Sequence, residues 1–208
     1  MPNGTKWSLN ANYFVGFLRG FETLSQLFVV QEDGSYLVSG FPIIINDGPQ
    51  FIWRSLMIDT ARHYLDVDTI YRIIDAMLYI KLNVLHWHIV DEDAFPMEVY
   101  TVPELSQYGS VGGIYTLEDI NNVIMYAQWS GIRVVPEINT PTQTQSWGRS
   151  PKYENITLNC NGVHMGQFDP TSIYTWRVVQ QVFTFANNNF DDSYIHFGGD
   201  KVNYDCWD

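Results

Sequence analysis

From Phe51 onward, short apolar runs alternate with helix-like repeats, and this alternation restricts the fold more than any other feature of the chain. The apolar runs predict strands over residues 56–58, 83–90, 132–138 and 194–197. The segments between them repeat apolar residues every three or four positions, which predicts amphipathic helices. Because strands that alternate with helices pair in parallel through right-handed crossovers, the sequence predicts an α/β fold built on a parallel sheet.

Capping residues mark the ends of the predicted helices. Asp68 is a candidate N-cap of the first helix, the capping box Thr116-Leu-Glu-Asp119 opens the second, and Gly131 ends it. The third helix is predicted over residues 171–186, and a long loop over residues 139–170 precedes it.

Residues 1–50 do not follow this alternation. Apolar side chains at helical spacing predict a helix over residues 9–28. The turn Gln31-Glu-Asp-Gly34 then precedes a short strand over residues 36–38. We therefore expect two parts, residues 1–50 and the α/β domain of residues 51–208.

The formal net charge of the 208-residue chain is −12. Nucleic acids bind basic faces, and anionic membrane surfaces attract cations, so this charge argues against both kinds of partner. No apolar run is long enough to span a bilayer. The polar start Met1–Lys6 shows no signal peptide.

The two cysteines, Cys160 and Cys206, do not by themselves establish a disulfide. Asn3-Gly-Thr5 and Asn155-Ile-Thr157 are acceptors for N-glycosylation if the chain enters a secretory pathway. Together these features favour an oxidising compartment.

The last strand is followed by residues typical of a functional site. Gly198 and Gly199 allow a tight turn, and Asp200 follows where the strand ends. Catalytic residues of parallel α/β folds lie at the carboxyl ends of strands. A turn aspartate that only caps the backbone is the alternative interpretation.

The segment His196-Phe-Gly-Gly-Asp200, with the pair Cys206-Trp207 after it, resembles the catalytic motif of the β-N-acetylhexosaminidases of glycoside hydrolase family 20. The resemblance covers nearly the whole chain. It implies that residues 51–208 are the first half, about four βα units, of a TIM (β/α)8 barrel, and that residues 1–50 are the tail of an N-terminal α+β domain.

A closed barrel of this type takes about 250 residues. The chain ends at the fourth predicted strand, which leaves a sheet with two open edges. We therefore interpret the chain as a fragment or a truncated gene product. A half-barrel that closes by forming a homodimer is the alternative.

In the family, the aspartate of this motif orients the substrate's acetamido group, which is itself the nucleophile, and the next residue is a glutamate that protonates the leaving oxygen. The resemblance gives Asp200 the first role and places Lys201 at the general-acid position. A lysine ordinarily has a pKa of about 10.4, too high for this task, and its charge opposes the positive charge of the transition state.

The resemblance also implies a set of substrate-binding residues. Arg54 matches the arginine that grips sugar hydroxyls, Asp91 matches the aspartate of a proton relay, and Trp147 matches the family's Ser-Trp-Gly segment. Gln143 stands where the relay histidine lies in the family, and Asn139 where the family has aspartate. With Gln143 and Lys201 in place, two of the three relay members do not titrate as required.

The resemblance further implies a disulfide between Cys160 and Cys206 and a lysosomal or extracellular location. The expected partners are glycans or glycoconjugates with terminal N-acetylglucosamine or N-acetylgalactosamine, and no cofactor is expected.

Two histidines of the second strand, His86 and His88, share one face because strand side chains alternate. Such a pair could bind zinc, but no third ligand follows at a suitable spacing, and strand histidines more often pack or hydrogen-bond. The acidic run Asp91-Glu-Asp93 lacks the remaining ligands of an EF-hand. We therefore predict no metal site.

These observations predict a β-N-acetylhexosaminidase homologue with impaired hydrolysis of terminal N-acetylhexosamine residues. A non-catalytic glycan-binding or interaction remnant is the alternative.

Overall fold

The computed structural model describes residues 7–160 and 163–207. Its strands are β1 (Val29–Val30), β2 (Tyr36–Leu37), β3 (Ser55–Asp59), β4 (Val84–Val90), β5 (Arg133–Thr140), β6 (Thr157–Cys160), β7 (Val163–Phe168) and β8 (His196–Gly198). Its α-helices are α1 (Phe14–Ser25), α2 (Val67–Tyr79), α3 (Glu104–Gly109), α4 (Leu117–Trp129) and α5 (Ile173–Asn189). The acceptor Asn3 lies outside the described residues.

A four-stranded parallel sheet in the order β3-β4-β5-β8 forms the centre of the structure. Helices α2, α4 and α5 connect its successive strands, so each crossover returns the chain to the next position in the sheet. This arrangement confirms the prediction of a parallel α/β fold. The fourth strand is His196–Gly198 rather than the predicted 194–197.

The core lies between this sheet and the helices. In β4 the alternate side chains of Leu85, Trp87 and Ile89 are fully buried among residues of α2 and α4. Burial of an aliphatic side chain of this kind contributes about 1.5–3 kcal/mol relative to leaving it exposed. His86 and His88 point to the other face of the sheet because strand side chains alternate.

The N-cap of α2 is Asp66 and not the predicted Asp68. Asp66 Oδ1 accepts a hydrogen bond from the Thr69 backbone N–H at 2.7 Å, and Asp68 lies within the first turn. The capping box of α4 is confirmed, with Thr116 and Asp119 each accepting from the other's backbone N–H.

The predicted loop over residues 139–170 is more structured than expected. The loop includes the short 3-10 helices Gln145–Arg149 and Glu154–Ile156. It also includes the antiparallel hairpin of β6 and β7. These elements were not predicted because they are too short to show a periodic apolar pattern in the sequence.

Helix α1 is shorter than the predicted helix over residues 9–28, and a buried arginine helps to join it to the α/β unit. The guanidinium of Arg19 donates to the carbonyl oxygens of Leu82 at 2.8 Å and Gly131 at 3.1 Å, which lie near the amino ends of β4 and β5. Strands β1 and β2 pair as an antiparallel hairpin across the turn at Gln31–Gly34, and β2 is one residue shorter than the predicted strand over residues 36–38.

Both edges of the central sheet are open in the described part of the chain. There, β3 pairs only with β4 and β8 only with β5. Met57 on β3 is 52% exposed and Phe197 on β8 is 58% exposed. None of the helices in residues 7–160 and 163–207 combines the length and apolar character that a bilayer span requires.

Candidate active site

The carboxyl ends of the four parallel strands bring polar side chains to one edge of the sheet. Asp59 ends β3, Asp91 follows β4, Asn139 lies near the end of β5, and Asp200 follows β8. Active sites of parallel α/β folds form at this edge because loops there are free to carry function.

Asp91 lies at the centre of this edge and its side chain is fully buried. Its carboxylate accepts from His88 Nε2 at 2.7 Å, from Asn139 Nδ2 at 3.1 Å and from Arg62 NH2 at 3.1 Å. Burial alone would raise the pKa of Asp91, but these hydrogen bonds and the positive charge of Arg62 hold the pKa below its ordinary value. Asp91 is therefore a carboxylate anchored from three sides.

Asp200 lies next to this cluster, exposed to solvent. Its Oδ2 accepts from Asn139 Nδ2 at 2.5 Å, so the buried Asn139 bridges Asp200 and Asp91. The preceding turn requires glycine at Gly198, where φ is 77° and an added Cβ would lie 1.7 Å from Asn139 Oδ1. The structure thus brings Asp200, Asp91 and Asn139 together.

Lys201 follows Asp200 and is exposed. It makes no hydrogen bond or ion pair with any residue in the described ranges. Gln143 reaches the same edge, where its Oε1 accepts from Arg62 NH2 at 3.4 Å.

Arg54 does not reach this site. It precedes β3, at the opposite end of the strand, where its guanidinium donates to the carbonyl oxygens of Lys81 at 2.8 Å and Phe51 at 2.6 Å. In this structure Arg54 therefore lies at the amino end of β3, away from Asp91 and Asp200, and its contact with a sugar stays a prediction.

Arg62, by contrast, lies at the carboxyl ends of the strands, beside Asp91. Its guanidinium donates to Asp59 Oδ2 at 2.6 Å as well as to Asp91 and Gln143, and its side chain is 48% exposed. Its position just after the carboxyl end of β3 was a signal in the sequence that could have identified it.

Trp147 also does not line the site surface. It is fully buried, with its ring edge-on to Phe95 and to Phe168, each at a centroid distance of 5.0 Å. Trp147 therefore packs inside the loop after β5. Its ring has no exposed face that could contact a sugar.

A second group of polar residues lies on the same face of the sheet, within the strands, one layer nearer their amino ends than Asp91. Glu137, buried on β5, accepts from His86 Nε2 at 2.6 Å and from His88 Nδ1 at 2.8 Å, and its other oxygen lies 3.0 Å from His196 Nδ1. Sequence analysis did not identify Glu137 and named His196 only as part of the Asp200 motif, since residues on different strands show no common spacing in the chain.

His88 connects the two layers, with Asp91 on one ring nitrogen and Glu137 on the other. Burial alone would lower the pKa of His88, but the two carboxylates outweigh burial and raise it to about 9. The ring therefore donates from both nitrogens at neutral pH.

A disulfide between Cys160 and Cys206 joins the β6–β7 hairpin to the segment after β8, as the resemblance implied. Gln167 reinforces this connection by exchanging two hydrogen bonds of 3.1 Å with the Asn203 backbone. The segment that carries Asp200 and Lys201 is thus held at both ends, by β8 and by this junction.

Comparison with known proteins agrees with this geometry. The catalytic domain of glycosyl hydrolase family 20 matches residues 51–208. Beta-hexosaminidase subunit beta of Felis catus is 42% identical over 207 residues, which cover 96% of this chain and 38% of that protein. Subunit alpha of Mus musculus is 40% identical over 200 residues, which cover 92% of this chain and 37% of that protein.

Solved structures give the same relationship. The exo β-N-acetylglucosaminidase of Vibrio harveyi, in complex with N-acetylglucosamine, superposes with a TM-score of 0.79 at 27% identity and covers 90% of this chain and 33% of its own. The chitobiase of Flavobacterium johnsoniae superposes with a TM-score of 0.79 at 33% identity and covers 92% and 30%.

The chain spans 38% of the length of the Felis catus relative. The family match covers the whole α/β unit, and the fold, the Asp200 motif and the disulfide agree with it. This chain belongs to glycoside hydrolase family 20.

Proposed function

We propose that this chain binds terminal N-acetylhexosamine residues of glycans but hydrolyses their glycosidic bonds at a severely impaired rate. The observation that carries the proposal is the pair Asp200-Lys201 at the carboxyl end of β8, with an exposed carboxylate beside Asn139 and an exposed lysine next to it.

The binding part of the proposal rests on Arg62 and Asp200. Asp59 and Asp91 fix the guanidinium of Arg62, while its 48% exposed side chain faces the edge where Asp200 lies. A planar group with diverging N–H donors suits the hydroxyls of a sugar. A carboxylate such as Asp200 accepts from an acetamido N–H, and the relative from Vibrio harveyi was solved with N-acetylglucosamine.

The impaired chemistry follows from the residues around the leaving oxygen. General acid catalysis contributes typically about 10²–10⁴-fold to the rate. Lys201 offers an ammonium group where the family has a carboxyl, and an ammonium opposes a transition state that is becoming positive. The side chains of Gln143 and Asn139 are amides, which neither gain nor lose a proton in the pH range of general acid catalysis.

We also propose that residues 51–208 form the first half of a (β/α)8 catalytic barrel and that residues 1–50 are the tail of a preceding domain. The family match, which begins at residue 51, supports this division. So do the four parallel strands with open edges. The disulfide and the exposed acceptor Asn155 support a lysosomal or extracellular location.

Calorimetric titration with N-acetylglucosamine tests binding. We expect Arg62→Ala and Asp200→Ala to weaken it by about tenfold or more, which corresponds to the roughly 1.5–3 kcal/mol of a hydrogen bond to a charged group. Arg177→Ala, which removes an exposed arginine from α5, is the matched control. Absence of sugar binding by the intact chain would favour the alternative of an interaction remnant.

A release assay with a chromogenic N-acetyl-β-glucosaminide tests catalysis. We expect release close to that of a blank without protein. Turnover at an ordinary enzymatic rate of about 1–10³ s⁻¹ that disappears in the Asp200→Ala variant would contradict the proposed impairment.

A further inference from the structure

We propose that His86, Glu137 and His196 form a binding site for a divalent transition-metal ion, with zinc as the preferred ion. The three side chains come from the neighbouring strands β4, β5 and β8 and converge on one face of the sheet. The site lies one layer below Asp91 and Asp200, and its existence does not depend on sugar binding or hydrolysis.

The spacing of the donor atoms fits such an ion. His86 Nε2 lies 2.6 Å from Glu137 Oε2, His196 Nδ1 lies 3.0 Å from Glu137 Oε1, and all the donor atoms lie within 4.8 Å of one another. Two ligands about 2.1 Å from zinc at tetrahedral angles are about 3.4 Å apart. Small side-chain rotations therefore bring the three donors into a tetrahedral arrangement with one position left for water.

His196 Nδ1 lies at the same distance from a hydrogen-bond donor and from a carboxylate oxygen. Its Nδ1 accepts from the Gly198 backbone N–H at 3.0 Å, which requires a lone pair on that nitrogen. The same nitrogen faces Glu137 Oε1 at 3.0 Å, which also presents a lone pair. Two acceptors at this distance repel each other, whereas a cation between them binds both and takes the Nδ1 lone pair in place of the Gly198 N–H.

The carboxylate is held in place as metal ligands usually are. The side chain of Glu137 is 9% exposed, and Glu137 Oε2 accepts from His88 Nδ1, while Asp91 in turn accepts from His88 Nε2. Outer partners of this kind orient ligands and are typical of metal centres.

The exposure of the site and the type of its donor atoms determine which metal ion it prefers. The side chain of His196 is 49% exposed and that of His86 is 22% exposed, so an ion can enter from the open face of the sheet. Two imidazoles and one carboxylate favour zinc and related transition metals over magnesium or calcium, which prefer oxygen ligands.

A bound ion would fasten strand β8 to its neighbours. β8 pairs with β5 at only two positions, Glu137 with His196 and Thr140 with Gly198. A metal bond through His196 would add a further attachment to the hydrogen bonds that Thr140 makes with Phe197 and Gly199. We therefore expect zinc to stabilise the edge strand.

Equilibrium dialysis and calorimetry of the intact chain with zinc chloride test the site. We expect one ion per chain at micromolar concentrations, no comparable binding of magnesium, and a cobalt complex with the visible absorption of tetrahedral coordination. His86→Gln and His196→Gln should each weaken zinc binding by about tenfold or more. His63→Gln, which removes an exposed histidine after β3, should leave it unchanged.

Thermal unfolding gives a second measurement. Zinc should raise the melting temperature of the original chain and of His63→Gln, but not of His196→Gln, whose half-exposed side chain can be replaced without disturbing the core. Absence of zinc binding, equal affinity in both ligand variants and the original chain, or an equal loss in His63→Gln would each overturn the proposal.

Discussion

Asn139 donates its amide to two carboxylates, Asp91 and Asp200, that would otherwise repel each other. The resemblance places an aspartate at this position, which would add a third carboxylate at the ends of β4, β5 and β8. Like charges at such distances raise the free energy of the folded state. The amide of Asn139 therefore stabilises this pair of carboxylates.

We expect Asn139→Asp to destabilise the fold by about 1–3 kcal/mol at neutral pH, since the variant loses a buried donor and gains a buried charge. Repulsion raises the pKa of the introduced carboxyl above its unfolded value, so the loss should shrink as pH falls. Urea denaturation at pH 7 and pH 5 measures both effects. Asn121→Asp on the exposed face of α4 is the control, and equal losses in the two variants would contradict the explanation.

Lys201→Glu alone should restore little hydrolysis. The introduced carboxyl would stand beside Asp200, but Gln143 and Asn139 cannot complete a proton relay with it. We expect the gain to stay far below the about 10²–10⁴-fold that general acid catalysis supplies. Chromogenic release assays of Lys201→Glu and the neutral control Lys201→Gln measure this gain. Recovery of an ordinary enzymatic rate by the glutamate variant only would refute the prediction.

Among the elements, β8 is the one whose position decides the candidate site. It is three residues long, lies at an open edge and carries His196 before the turn and Asp200 after it. The disulfide and the hydrogen bonds of Gln167 hold the chain beyond the turn. The site therefore depends on contacts at both ends of a weakly paired strand.

The start of α2 allows a direct test of its N-cap. Asp66→Ala should lower the melting temperature more than Asp68→Ala, because only Asp66 accepts from the backbone N–H of Thr69. The hydrogen bonds with Thr69 hold the pKa of Asp66 below its ordinary value. The stabilisation is therefore present above the unfolded pKa and is lost as pH falls through the folded pKa. Differential scanning calorimetry at pH 7 and pH 3 measures it, and a larger effect of Asp68→Ala at pH 7 would restore the original assignment.

At the scale of the whole molecule, the sheet has two edges that pair with no other strand among residues 7–160 and 163–207, and apolar side chains are exposed on both. Met57 is 52% exposed on β3, and Phe197 is 58% exposed on β8. Unpaired edges of this kind recruit other strands. The net charge of −12 opposes association but does not cover the backbone donors and acceptors of an edge.

We therefore expect the chain to self-associate as its concentration rises, with a dimer as the first species. Met57→Lys should reduce the association because a lysine on an edge strand discourages pairing. Tyr79→Lys, which replaces an exposed apolar residue at the end of α2, is the control. Light scattering over a range of concentrations measures the mass, and a constant monomer mass would disprove the expectation.

Several features of the fold could be predicted because they depend on local patterns. The apolar runs placed the four parallel strands, and the capping box at Thr116 placed α4. The hairpin of β6 and β7 could not be predicted, since its strands are short and Cys160 is joined to a residue 46 positions away.

The sequence by itself determined the parallel α/β fold, the family and the presence of Lys201 beside Asp200, because each follows from residues that are adjacent or regularly spaced in the chain. Only the tertiary structure decided that Arg62 and not Arg54 reaches the site, that Trp147 is buried, and that Glu137 meets three histidines. The physical reason is that strand direction, strand order and the facing of side chains determine which distant residues come within a few ångströms of one another.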